Sequence, residues 1–224
     1  AVADVVRSGD WGRLRPGATR TREFEARFAA YHDCRHGLCV SSGTAALEVA
    51  LVSAGVGIGD EVLVPPYTFM ATATAVLQVG AVPVFVDIDW QTMNVDVNKI
   101  EAAITDRTKA IIVVHLHGLA VDMDKVMAVA RKHKLKVIED ACQSHGAMFK
   151  GRKVGTFGHC AAFSFNQNKS LCSGEGGMFV TDDEEILSSA RMVWSFGETR
   201  TPVESRDYHA YALGWMHRNN DLTA

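Results

Sequence analysis

Lys169 sits in the polar stretch Asn166-Gln167-Asn168-Lys169-Ser170, between the apolar runs Ala161–Phe165 and Met178–Thr181. A glycine-rich turn, Gly174-Glu175-Gly176-Gly177, follows it. A lysine amine held in a partly buried cleft gives up its proton more readily and can join an aldehyde as a Schiff base. Spacing alone does not select that role, because most lysines are simply solvated. Asp140 follows the run Leu135–Glu139, and a carboxylate at the end of a buried strand is costly without a partner. A protonated ring nitrogen would be one partner; a helix cap or a metal site are the competing roles. Ser41-Ser42-Gly43-Thr44-Ala45-Ala46 follows Gly37–Val40 and opens an apolar helix. Such a start offers N–H groups and hydroxyls to a phosphate. The plainer alternative is a helix cap by Ser42 or Thr44. Pro65-Pro66-Tyr67-Thr68-Phe69 puts aromatics on a stiff loop, where a ring could stack on a flat ligand or fill the core. His145 could stack, donate a hydrogen bond or fill space.

These groups need a frame. Seven apolar runs read as strands: Gly37–Val40, Glu61–Val64, Val82–Val86, Ala110–His115, Leu135–Glu139, Ala161–Phe165 and Met178–Thr181. Ala110-Ile111-Ile112-Val113-Val114 is continuously apolar, as suits a strand covered on both faces of a largely parallel sheet. Helical spacing appears in Arg22–Tyr31, Thr44–Ala54, Asp124–Lys134 and Glu184–Trp194. Thr44–Ala54 is apolar nearly all round and is expected to be buried. Asp124–Lys134 ends in a basic turn, which complements a helix C-terminus. Alternating strands and helices predict an α/β layered domain. In open α/β sheets ligands bind beyond the carboxyl ends of the strands, and the candidate residues all fall there.

The bulk properties narrow the classes. A net charge of −3 offers no basic field to nucleic acid or an anionic membrane surface. No apolar run reaches the roughly 18 residues that span a bilayer. The cysteines are Cys34, Cys39, Cys142, Cys160 and Cys172, an odd number with no C-x-x-C pair. That argues against a disulfide framework or a structural zinc site and fits a reducing cytoplasm. The start at Ala1 rather than Met suggests trimming or a fragment. G-x-G-x-x-G after a strand, a Walker A sequence and G-x-S-x-G do not occur. Taken together, the phosphate cradle, aromatic loop, strand-end Asp140 and loop Lys169 supply what pyridoxal phosphate (PLP) requires.

The stretches 41–47, 64–69, 139–147 and 163–177 resemble the motifs of the DegT/DnrJ/StrS aminotransferases, and the resemblance runs from about Gly9 to Asp221. It implies the aspartate-aminotransferase-like fold-type I architecture: a three-layer αβα domain around a mostly parallel, mixed, seven-stranded sheet. The implied organisation is an N-terminal segment and helix over 1–35, a PLP-binding large domain over 36–200, and over 201–224 the start of a connection to a C-terminal domain. By matching position, Lys169 would form the Schiff base and Asp140 would bond the pyridine nitrogen. Phe69 would stack on the ring, and Gly43, Thr44 and Ala45 would hold the phosphate, helped by Ser164. Gln143 would lie near the ring hydroxyl. The implied reaction moves an amino group from glutamate or glutamine to a nucleotide-linked keto sugar or related cyclic ketone, in a cytoplasmic homodimer. Met216 stands where the family usually has an Asn that reaches the partner's phosphate. A PLP sugar dehydratase of the same family would carry histidine in place of Lys169. An inactive regulatory or scaffold relative would need neither Lys169 nor Asp140.

Overall fold

The computed structural model describes residues 1–199 and 209–224. In chain order the elements are α1 (Val2–Ser8), α2 (Arg20–Tyr31), β1 (His36–Val40), α3 (Gly43–Ser53), β2 (Glu61–Val64), α4 (Ala71–Gln78), β3 (Val82–Phe85), β4 (Thr108–Val114), α5 (Met123–His133), β5 (Lys136–Asp140), β6 (Met148–Phe149), β7 (Arg152–Lys153), β8 (Cys160–Ser164), β9 (Gly177–Thr181) and α6 (Glu184–Trp194). The main sheet has seven strands in the order β1-β9-β8-β5-β4-β2-β3, and β6 and β7 form a separate hairpin. The run from β3 to β8 is parallel, and β9 alone runs against both its neighbours. The chain thus has the α/β, mostly parallel seven-stranded sheet that its apolar runs predict.

Strand alternation divides the core. Val62, Val64, Ala110, Ile112, Ile138 and Ala162 face one side, against Ala46, Ala50, Val76 and Ala190 of α3, α4 and α6. Leu63, Ile111, Val113 and Val137 face the other, against Val126 and Ala130 of α5. On that second side Phe163, Phe165 and Met178 pack on Phe28 and Ala29 of α2. The result is three layers, helix–sheet–helix. Helix α3 is buried along most of its length, as an all-apolar helix must be. Two helices lay outside the sequence expectation: α1, which buries only Val5, and α4, which follows directly on the Pro-rich loop. Strand β3 is the sheet's edge and leaves Val82 and Phe85 exposed, so the expected two-sided cover does not extend there. Among the described residues no helix is long and apolar enough to cross a membrane.

The C-terminal residues return to the start of the chain. The backbone N–H of Ser41 donates to His217 O at 2.7 Å, and Gly12 bridges Asn220. The buried Asp221 carboxylate accepts from the N–H groups of Arg20 and Thr21, at 2.8 and 2.9 Å, and so caps α2. Burial pushes its pKa up, but these bonds and the Thr21 hydroxyl outweigh that and hold it below the usual carboxylate range. The boundary expected at residues 200 and 201 lies outside the described residues.

Candidate active site

Period-two alternation decides which strand-end groups meet. Asp140 shares a face with Ile138, and Ser164 with Ala162, so both project toward α3 at the carboxyl ends of β5 and β8. Glu139 shares the opposite face with Val137. A cavity of about 460 Å³ opens there, lined by Gly43, Thr44, Phe69, Asp140, Gln143, Ser164 and Lys169 among others. Seven of the eight residues assigned to a cofactor from sequence therefore border one space.

Ser42 is the helix cap: its hydroxyl accepts from Ala45 N–H at 3.1 Å. The cap and phosphate roles turn out to be compatible. Ser42 satisfies Ala45, the one expected cofactor residue that does not line the cavity, and the N–H groups of Gly43 and Thr44 remain at the helix start without an intrahelical acceptor. Gly43 is needed for space. A Cβ there would lie 2.7 Å from Ser164 Cβ and 3.0 Å from Cys142 Sγ. Gly43→Ala is expected to cost about 1–3 kcal/mol by overpacking, measured by chemical denaturation; an unchanged midpoint would show that α3 and β8 are not in close contact.

Asp140 is 5% exposed. Its Oδ2 accepts from Thr72 Oγ1 at 2.8 Å, and its Oδ1 from Cys142 N–H at 3.2 Å. Phe69 stands at the cavity with 64% of its surface exposed, a ring with one face to spare. Gln143 Oε1 accepts from His117 N–H at 3.0 Å, leaving its amide hydrogens for other partners. The Lys169 backbone N–H closes a turn onto Asn166 O at 2.9 Å, and Asn166 is tied to Glu175 at 3.0 Å. The loop is thus braced while the Lys169 amine has no ion pair among the described residues. Burial, and then the neighbouring Asp140 charge, push the Cys142 thiol well above its ordinary pKa, so it is no nucleophile.

His145 lies outside this cavity. Its ring sits 5.6 Å from Phe163 and 5.9 Å from Phe165, and burial lowers its pKa, so it belongs to the aromatic core. Glu139 has an internal role. It is fully buried and accepts from His115 Nε2 at 2.9 Å and from the N–H groups of Gly155, Phe157 and Gly158 at 2.6–2.7 Å. Burial alone would raise its pKa, but these donors outweigh it and lower the value. Sequence reasoning missed the pairing of His115 with Glu139, and it missed Thr72. The His115–Glu139 pair could have been found from the shared parity of two polar residues at adjacent strand ends. Thr72 carried no signal, since the helix that bears it was not anticipated.

These residues fit PLP. A carboxylate lies beside a helix start with spare N–H groups, a lysine side chain with no ion pair among the described residues, and an exposed ring. That Gly43 leaves no room for a Cβ brings the first turn of α3 against Ser164, where a phosphate would need both.

The whole chain, residues 1–224, matches the model of the DegT/DnrJ/EryC1/StrS aminotransferase family. It is 45% identical over 202 residues to GDP-perosamine synthase of Caulobacter vibrioides, covering 90% of this chain and 53% of that protein. It is 44% identical over 207 residues to the L-glutamine:2-deoxy-scyllo-inosose aminotransferase of Micromonospora echinospora, covering 91% and 49%. Its fold matches the crystal structure of an aminotransferase from Psychrobacter cryohalolentis with a TM-score of 0.92 and 39% identity, over 99% of this chain and 57% of that one. NtdA of Bacillus subtilis, solved with its cofactor PMP bound, matches with a TM-score of 0.89 and 34% identity, over 99% and 49%. The chain spans about half the length of the curated relatives it matches. It belongs to the DegT/DnrJ/EryC1/StrS aminotransferase family.

Proposed function

We propose that these residues form the cofactor-binding part of a PLP-dependent aminotransferase. Its acceptor is a nucleotide-linked keto sugar or a related cyclic ketone, and its donor is glutamate or glutamine. One observation carries this reading: Lys169, Asp140, Phe69, Ser164 and the start of α3 line a single cavity. The Gly43 and Thr44 N–H groups and the Ser164 hydroxyl hold the phosphate. Phe69 covers the ring, and Gln143 meets the ring hydroxyl. Asp140 keeps the proton on the ring nitrogen. When bound, PLP supplies a ring that takes up the electron pair left as an amine's α-proton departs. Lys169 would remove that proton as base and return one as acid to the cofactor's aldehyde-derived carbon, on the far side of the amine nitrogen. Because donor and acceptor use the site in turn, the kinetics are ping-pong. The names of the relatives support the acceptor class, one a GDP-sugar synthase and one a glutamine-dependent cyclitol aminotransferase.

The enzyme is a homodimer in this reading. Tyr67, Phe69 and Met70 are each more than half exposed beside the cavity, and an apolar cluster of that kind favours a covering surface. Free cysteines throughout suit a cytoplasmic setting. The domain division at 35/36 and 200/201 stays part of the proposal. Mixing the chain with PLP is expected to produce a visible absorption band. The aminated cofactor form, offered a panel of nucleotide keto sugars and keto-cyclitols, is expected to regain that band with one class. A colourless chain with PLP would overturn the cofactor assignment; a band unmoved by every ketone would overturn the acceptor assignment.

A further inference from the structure

We propose that Thr72, oriented by Thr68, is a positioning residue that fixes the Asp140 carboxylate for its bond to the ring nitrogen; this rests on the function proposed above. Thr72 is fully buried on the first turn of α4. A threonine in a helix can bond a carbonyl of the preceding turn, as the exposed Thr74 does with Ala71 O at 3.4 Å. Thr72 instead reaches across the fold to Asp140 Oδ2 at 2.8 Å. Its oxygen also lies 2.9 Å from Thr68 Oγ1.

The proton order follows from what each group can do. An ionised carboxylate only accepts, so Thr72 donates to Asp140. Having spent its single hydrogen, Thr72 accepts from Thr68. Thr68, which lines the cavity, therefore turns its hydrogen inward and presents lone pairs to a ligand. Among the described residues Thr72 is the only hydroxyl bonded to Asp140. With the Cys142 N–H on the other oxygen, it stops rotation of the carboxylate. Phe69 stands three residues before Thr72 and is tied to it, the Thr72 N–H donating to Phe69 O at 3.1 Å. One short segment thus sets both the covering ring and the orientation of Asp140.

The test compares Thr72→Val, Thr72→Ser and Thr68→Val with the unaltered chain, with thermal melting as the check on folding. PLP affinity and the pH at which the bound chromophore changes absorption are the readouts. Loss of one charge-assisted hydrogen bond is expected to weaken PLP binding by about tenfold in Thr72→Val. A loosely held carboxylate keeps the ring nitrogen less protonated, so the ring withdraws less charge. The chromophore should then titrate about half a pH unit or more higher. Thr72→Ser, which keeps the hydroxyl, should stay within about threefold of the unaltered chain in affinity. Thr68→Val should fall between the two. Unchanged affinity and titration in Thr72→Val would overturn the inference while leaving the proposed function intact. So would equal damage from Ser and Val, which would make Thr72 a packing residue. If the unaltered chain does not bind PLP, the proposed function falls and this inference with it.

Discussion

Replacing Lys169 with alanine should abolish covalent capture of PLP and reduce amino transfer from glutamate or glutamine by roughly 10³-fold or more, the scale of losing a general acid–base group that also holds the cofactor. The measurement is borohydride reduction followed by intact mass. The unaltered chain should gain one cofactor per chain, fixed at Lys169, and the variant none. Lys169→Arg is the sharper control. Arginine keeps the positive charge but does not release a proton near neutrality, so it should fail as completely as alanine. If arginine keeps substantial activity, the residue supplies charge only and the assignment is wrong. The variant is not expected to unfold, because the Lys169 side chain has no ion pair among the described residues and lies on a loop braced by backbone bonds. A loss of function with an unchanged melting temperature is the expected signature.

Most of this fold was legible because its strands are doubly covered. Continuous apolar runs such as Ala110–Val114 leave little else for the chain to do. The ends shifted by a residue or two, as in β5, which ends at Asp140 rather than Glu139, because apolar pattern marks burial and not the last ladder bond. Helix α4 was missed for a physical reason. Ala-Thr-Ala-Thr-Ala-Val-Leu-Gln follows a proline-rich loop, lacks a side-chain cap, and contains two threonines that weaken helix propensity. Packing of Ala75 and Val76 against α3 makes it a helix. The tail was illegible because its partners are remote in sequence. Asp221 caps a helix two hundred residues earlier, and no local pattern announces that.

The site was legible in its ingredients and not in its order of importance. Lys169 taken alone looked like a surface charge. Its case came from Asp140, Phe69 and the helix start, and the cavity joins them. Glu139 and Asp140 are adjacent carboxylates, and the alternation of the strand sends them to opposite faces and opposite tasks. Asp140 keeps lone pairs toward the cavity, whereas each Glu139 oxygen already accepts two hydrogen bonds.

That saturation gives the second large effect. Glu139→Gln should destabilise the fold by about 3 kcal/mol, lowering the melting temperature by about 6–12 °C. Oε1 accepts from Phe157 and Gly158, and Oε2 from Gly155 and His115. Whichever way a glutamine amide turns, its NH₂ meets N–H donors. His115 cannot relieve the clash by changing tautomer, because its Nδ1 already accepts from Val121 N–H at 3.2 Å. The pH dependence has a definite sign. The folded-state pKa of Glu139 is lowered from the ordinary 4.5, so its stabilisation is complete above that value and is lost as pH falls through the lower folded value. The stability gap between the unaltered chain and Glu139→Gln should therefore be flat between about pH 6 and 7 and narrow only under acid conditions. A gap below about 1 kcal/mol, or one that widens on acidification, would show that the buried carboxylate is not held by its donors. Because these donors fix the end of β4 and the 155–158 turn beside β5, the variant should also bind PLP less tightly. Asp140 is the next residue along that strand, and its orientation depends on a strand end that Glu139 secures from the opposite face.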